Sequence, residues 1–158
     1  MYFNSKNNFP HGIMFHHFHD EKKYKKSQGS ISKNDFYKII NFIGRKNIID
    51  AQIFQQKFKE KKLKKNEVCL TFDDSVKNQI DIALPVLDEK KIKSFFFTYS
   101  SIFGKKPDNL EVFRYFRTNY FKSVNEFYNL FYQATKKDFS KLFFEEKNTI
   151  KKKKIKIS

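Results

Sequence analysis

Cysteine occurs once in the 158 residues, as Cys69. A single cysteine excludes an internal disulfide and any cysteine-based zinc finger, and a cytoplasmic setting is the default expectation. Tryptophan is absent, and the chain holds only four glycines and three prolines. No apolar run approaches the roughly 18 residues that a membrane span needs, so no span is expected. The opening residues, Met1 to Asn8, lack the basic-then-apolar pattern of a secretory signal. Arginine is scarce too: Arg45, Arg114 and Arg117 are the only three among 33 basic residues.

Lysine and phenylalanine fill the gap. The net charge is +16, and 21 residues are Phe. So many large apolar side chains exclude a wholly disordered chain, and the length suits one domain with a real core. The lysines are spread through nearly every segment. A nucleic-acid reader would cluster arginines for bidentate contacts and interleave them with aromatics on one face. The charge therefore reads as a solvated surface, with weak, salt-sensitive binding of polyanions and no specific nucleic-acid partner. Abundant Lys, Phe, Ile and Asn with little Gly or Pro fits the codon bias of an AT-rich genome.

Apolar spacing sets the elements. Gly12 to Phe18 reads as a strand, and Asp20 to Gly29 as an exposed lysine-rich loop. Ser32 and Asp35 form a capping signal for a helix with Phe36, Ile39, Ile40 and Ile43 on one face, ended by Gly44. Ile48 to Leu63 is a weaker helix. Val68 to Phe72 is a compact strand, and Val76, Ile80, Ala83, Leu84 and Leu87 mark a helix that Pro85 should kink. Ile92 to Tyr99 is a third strand. Strand, helix, strand with short joins is a βαβ unit, which implies a parallel sheet or barrel with helices outside. Asn109 to Tyr120 reads as helical. A second capping box at Ser123 and Glu126 leads a stripe of Phe127, Leu130, Phe131 and Ala134, expected in the core. Residues 138–146 read as a further short helix, and the lysine-rich tail 147–158 as frayed. No repeat or linker divides the chain, which gives one domain over residues 10–146.

The sharpest chemical feature is Asp73-Asp74, at the end of the strand Val68 to Phe72 and just before a helix. Two adjacent carboxylates repel and lose hydration, which a cation or a proton relieves. Parallel α/β folds carry their active sites at this end of their strands. A helix cap with a neighbouring surface charge accounts for the same pair equally well. Cys69, inside the strand, reads as a small buried hydrophobe rather than a nucleophile.

Three segments together carry a resemblance. Val68-Cys-Leu-Thr-Phe-Asp-Asp-Ser75, the helix ending Ala83-Leu-Pro-Val-Leu87, and Lys91-Ile-Lys-Ser-Phe-Phe-Phe97 resemble the first motif of the polysaccharide deacetylases, the NodB-homology family. His11-Gly-Ile-Met-Phe-His-His-Phe18 is similar to the opening strand of that family, where an aromatic-His pair is common. The likeness covers residues 10–103. It implies an α/β fold, a partial deformed β/α barrel with parallel strands and outer helices. It also implies a metal-dependent hydrolase that removes N-acetyl groups from a sugar or glycan. Carried over by position, Asp73 is the general base and Asp74 the ligand of a divalent metal, usually zinc. His16 matches the aromatic-His position as a substrate contact, although a satisfied core imidazole is an equal reading of it.

Two departures stand out. Ser75 occupies a position where the family has Gly, and is acceptable only where the backbone does not need a positive φ. The four histidines, His11, His16, His17 and His19, all precede Asp74, so the family's later His-x-x-x-His ligand pair is missing. One carboxylate cannot hold a catalytic zinc, which normally has three protein ligands. His17 and His19, at i and i+2 on one strand face, could reach a metal near Asp74 if the first strand ends beside it. Otherwise His11 and His19 are loop or edge residues. The simplest expectation is an incomplete domain of impaired activity, cut by a frameshift, a premature end or an artificial boundary. Open strand edges should then favour self-association. A non-catalytic carbohydrate-binding or scaffold relative, and a basic nucleic-acid-binding protein, are the alternatives.

Overall fold

A computed structural model describes residues 11–104 and 108–135 of the chain. The described residues fall into two compact units, one up to Val112 and one from Phe113 onward. The domain limits expected at 146 and 147, the short helix at 138–146 and the tail lie outside the described residues.

The first unit is built on three parallel strands, β1 (His11–Phe15), β4 (Val68–Phe72) and β5 (Phe95–Phe96), in the order β1-β4-β5. The register pairs His11 with Val68 and Phe15 with Phe72, then Phe72 with Phe96. All three strands therefore end at one edge. β4 holds the expected bounds, because Val68, Cys69, Leu70 and Phe72 are all buried, as a central parallel strand requires. Burial pushes the Cys69 thiol up to about 11, which leaves it a neutral packing group. A second, two-stranded parallel sheet joins β2 (Phe18–His19) to β3 (Ile31–Ser32). Among the described residues the strands do not close into a barrel, so the fold is a partial α/β arrangement.

The helix α1 (Lys33–Ile43) forms for the reasons its sequence announces. Ser32 accepts from the Asp35 N–H at 3.1 Å, and the Asp35 carboxylate reaches back to the Ser32 N–H. Gly44 ends the helix at φ 83°. Its face of Phe36, Ile40 and Ile43 enters the core. There the rings of Phe15, Phe18, Phe36 and Phe72 meet at centroid distances of 5.0 to 6.2 Å. Fully buried aromatics of this size contribute more than any single hydrogen bond nearby.

Several expectations shift. The first strand breaks after Phe15, and His19 belongs to β2, an edge strand of the two-stranded sheet, where it is buried rather than in a loop. Its Nδ1 lies 2.9 Å from the Ser30 hydroxyl. The weak second helix shrinks to α2 (Ala51–Lys59), because Ile48 is taken by a bridge to Val68. The third strand is only two residues long. Pro85 does not break its helix. A π turn at Gln79–Ala83 widens the chain just before α3 (Leu84–Glu89), and Leu84 donates to Gln79 five residues back. The wider turn accommodates the ring that would otherwise meet the carbonyl of Asp81.

The second unit contains most of α4 (Asn109–Tyr120) and all of α5 (Val124–Thr135). The capping box forms, with Ser123 accepting from the Glu126 N–H at 3.1 Å. The stripe expected in the core is buried only at Phe127, which packs edge-on against Phe113 and Phe121. Leu130 remains 50% exposed and Ala134 is exposed. A single helix pair shelters one ring more completely than a whole stripe.

The turn after β4 is strained. Asp74 and Ser75 have φ of 69° and 52°, so Ser75 does occupy the left-handed region that the sequence reading required it to avoid. Its hydroxyl, 3.1 Å from the Phe97 carbonyl, offsets part of a cost of about 1–2 kcal/mol. Ser75→Gly is expected to leave stability unchanged or raised by up to about 1 kcal/mol, and Ser75→Val to lower it by more than about 1 kcal/mol. Urea denaturation of the two variants measures this directly; equal midpoints for both would show the turn to be unstrained.

Candidate metal centre at the sheet edge

The three parallel strands deliver three chain breaks to one edge. The Asp73 N–H donates to the Phe15 carbonyl at 3.0 Å, and the Phe97 N–H donates to the Phe72 carbonyl at 2.8 Å. His16 and His17 leave β1 there, Asp73 and Asp74 leave β4, and Phe97 to Tyr99 leave β5. This is the end of a parallel sheet at which ligand sites form.

The buried side chain of Gln79 ties the first two breaks together. Its Nε2 donates to the His16 carbonyl at 2.8 Å and also to the Asp73 carbonyl. Next to it, the Asn78 Oδ1 accepts from the Phe18 N–H at 3.2 Å. The start of the helical segment after the Asp pair therefore clamps the segment after β1 to the segment after β4.

Four side chains meet above this clamp. His17 Nε2 lies 3.4 Å from Glu111 Oε1 and 3.9 Å from Asp74 Oδ2. His16 Nε2 stands 4.0 Å from the same Asp74 oxygen. The His17 side chain is 9% exposed, Asp74 25% and Glu111 26%, while His16 opens to solvent at 39%. His16 is thus a rim residue rather than a core imidazole. Glu111 arrives from the first turn of α4, where its N–H donates to Asp108 Oδ1 at 3.0 Å. Tyr99 stands close by. Partial burial first, then the carboxylate of Asp108 and those of Asp74 and Glu111, hold its phenol above the usual range, so it remains a neutral hydrogen-bond donor.

The donor atoms of His17, Asp74 and Glu111 all lie within 4.8 Å of one another. A tetrahedral ion with bonds of about 2.1 Å would hold neighbouring donors about 3.4 Å apart. The His17–Glu111 spacing already meets that value, and the remaining pairs need only small side-chain shifts. One imidazole and two carboxylates also match the charge and donor preferences of a divalent cation. The residues fit a metal.

The expected site residues divide accordingly. Asp74 and His17 come together, His16 stands at the rim, and Asp73 neighbours the cluster in sequence at the strand tip. His19 turns away to Ser30 and Glu21. Glu111, Gln79 and Tyr99 were not singled out by sequence reasoning. Glu111 had one usable signal: an acidic residue three places after Asp108, in the opening turn of a helix that follows β5.

Fold and edge together define a partial parallel α/β domain with a carboxylate–imidazole cluster at the carboxyl ends of its strands. Residues 60–116 match the family model for polysaccharide deacetylase, a stretch that runs from before β4 through the Asp pair and β5 to α4. The match covers well under half of the chain and supports a partial, deacetylase-like domain over that stretch. Comparison with curated proteins and with solved structures returns no match.

Replacing the Gln79 amide by an apolar chain of similar length strands two carbonyls. Gln79→Met is expected to lower stability by about 2–3 kcal/mol, read as a lower urea midpoint. A loss below about 0.5 kcal/mol would mean that the amide does not hold the two segments.

Proposed function

We propose that this chain acts as a metal-assisted deacetylase on an N-acetylated sugar or glycan. The observation that carries the reading is that Asp74, within the residues 60–116 that match the deacetylase family, meets a second carboxylate, Glu111, and the imidazole of His17 at a strand edge. A divalent cation, with zinc the first candidate, would supply polarisation of the amide carbonyl and a lowered pKa for water.

The chain's own residues do the rest. Asp74 is the carboxylate that holds the cation. Asp73, its neighbour at the strand tip, accepts a proton from the attacking water. A C–O bond forms, the amide C–N bond breaks, and the proton passes from Asp73 to the departing amine nitrogen. The products are acetate and a free amino sugar. His16, exposed at the rim, contacts the sugar. Tyr99 offers a neutral phenol on the same side, suited to a hydrogen bond with a polar substrate group.

Asp73→Asn keeps the size of the side chain and removes its basicity. It is expected to slow acetate release from an N-acetylated amino-sugar oligomer by about 10²–10⁴-fold. Zinc affinity, measured by calorimetry on the same variant, should stay within a few-fold of the parent. Undiminished acetate release would remove Asp73 from the role of base.

A further inference from the structure

Given the reading of Asp74 as a metal ligand, on which this inference rests, the source of the remaining ligands is open. The geometry points to a divalent-cation site made of His17, Asp74 and Glu111, one ligand each from the segment after β1, the segment after β4 and the first turn of α4. Three protein ligands are enough for a catalytic centre that keeps a position for water or substrate. This set reaches three without any histidine after Asp74.

Three features support the assignment. The imidazole is nearly buried and its Nε2 forms a triangle with the two carboxylates, at 3.4 Å from Glu111 and 3.9 Å from Asp74. Both carboxylates are only about a quarter exposed, so their mutual repulsion is poorly screened by water. The ligands come from separate elements that the scaffold has already positioned. Gln79 holds the backbone of His16, next to His17, to the backbone of Asp73, next to Asp74, and Asp108 caps the helix that carries Glu111.

The donor set also has a chemical consequence. Two carboxylates and a neutral imidazole balance the charge of a dication, and two of the three donors are hard oxygens. Such a set accepts Mn²⁺ as well as Zn²⁺, whereas thiolate-bearing sites favour softer ions.

The test is metal titration of the full chain by calorimetry, with Zn²⁺ and with Mn²⁺. One ion per chain is expected. Glu111→Gln and His17→Gln should each weaken binding by at least about 100-fold, and His11→Ala should leave it within a few-fold. A second measurement does not depend on how the variants fold: Mn²⁺ should broaden the ring resonances of His17 in the parent protein and spare those of His11. If Asp74→Asn abolishes binding while both other variants bind like the parent and the His17 resonances stay sharp, the ligand set is overturned and the deacetylase reading stands. If the parent binds neither ion, both fall, and His17 is a counter-charge for two carboxylates.

Discussion

A single buried amide holds the working edge of this protein together. Parallel strands end with unpaired carbonyls, and the chain must leave the sheet at each end without exposing them to an apolar interior. Gln79 answers that need for two strands at once, bonding the carbonyls of His16 and Asp73. Asn78 adds the N–H of Phe18 to the same junction. The order of the neighbouring side chains follows. With His16 and Asp73 fixed by their backbones, His17 and Asp74 have little choice but to stand close.

The junction sits on a core that can support local strain. Four phenylalanine rings from β1, β2, α1 and β4 interlock below it. Above them the chain accepts two consecutive left-handed residues at Asp74 and Ser75 and a π turn from Gln79 to Ala83. Each departs from ordinary geometry, and each lies within a few residues of the carboxylate pair. Strain of this kind persists only where the surroundings over-determine it. Here the surroundings are the aromatic core on one side and the Gln79 clamp on the other. On the lysine-rich surface, exposed ion pairs such as Lys62 with Glu60 are individually weak, whereas Lys57 pairs with the buried Glu67 and Lys23 with Asp81 of the π turn.

Much of the fold follows from short-range pattern. β4 runs over the same residues that its apolar run marks, and α1 begins and ends at the Ser32 cap and Gly44. Both depend on neighbours in sequence: a capping hydroxyl three residues from its partner, or an apolar run long enough for a central strand. Elements whose limits depend on distant partners were harder to read. The first strand breaks at His16 because Phe18 and His19 pair with Ile31 and Ser32 instead. The second helix starts late because Ile48 is drawn to Val68. Neither choice is encoded in local periodicity.

The same division holds at the site. The acidic pair and its place at a strand tip were evident in the order of residues 68–75, since a parallel sheet puts function at that end. The segment from His11 to His19 also offered its histidines as candidates but could not choose among them. The choice of His17 over His19 turns on where β1 stops, which the sheet pairing decides. Glu111 lies nearly forty residues beyond Asp74, and Gln79 looks like any polar helix residue until it is buried beside two carbonyls. Chemistry by residue type is a property of the chain. The convergence of an imidazole, two carboxylates and an amide is a property of three dimensions, because each comes from a different segment and only packing brings those segments together.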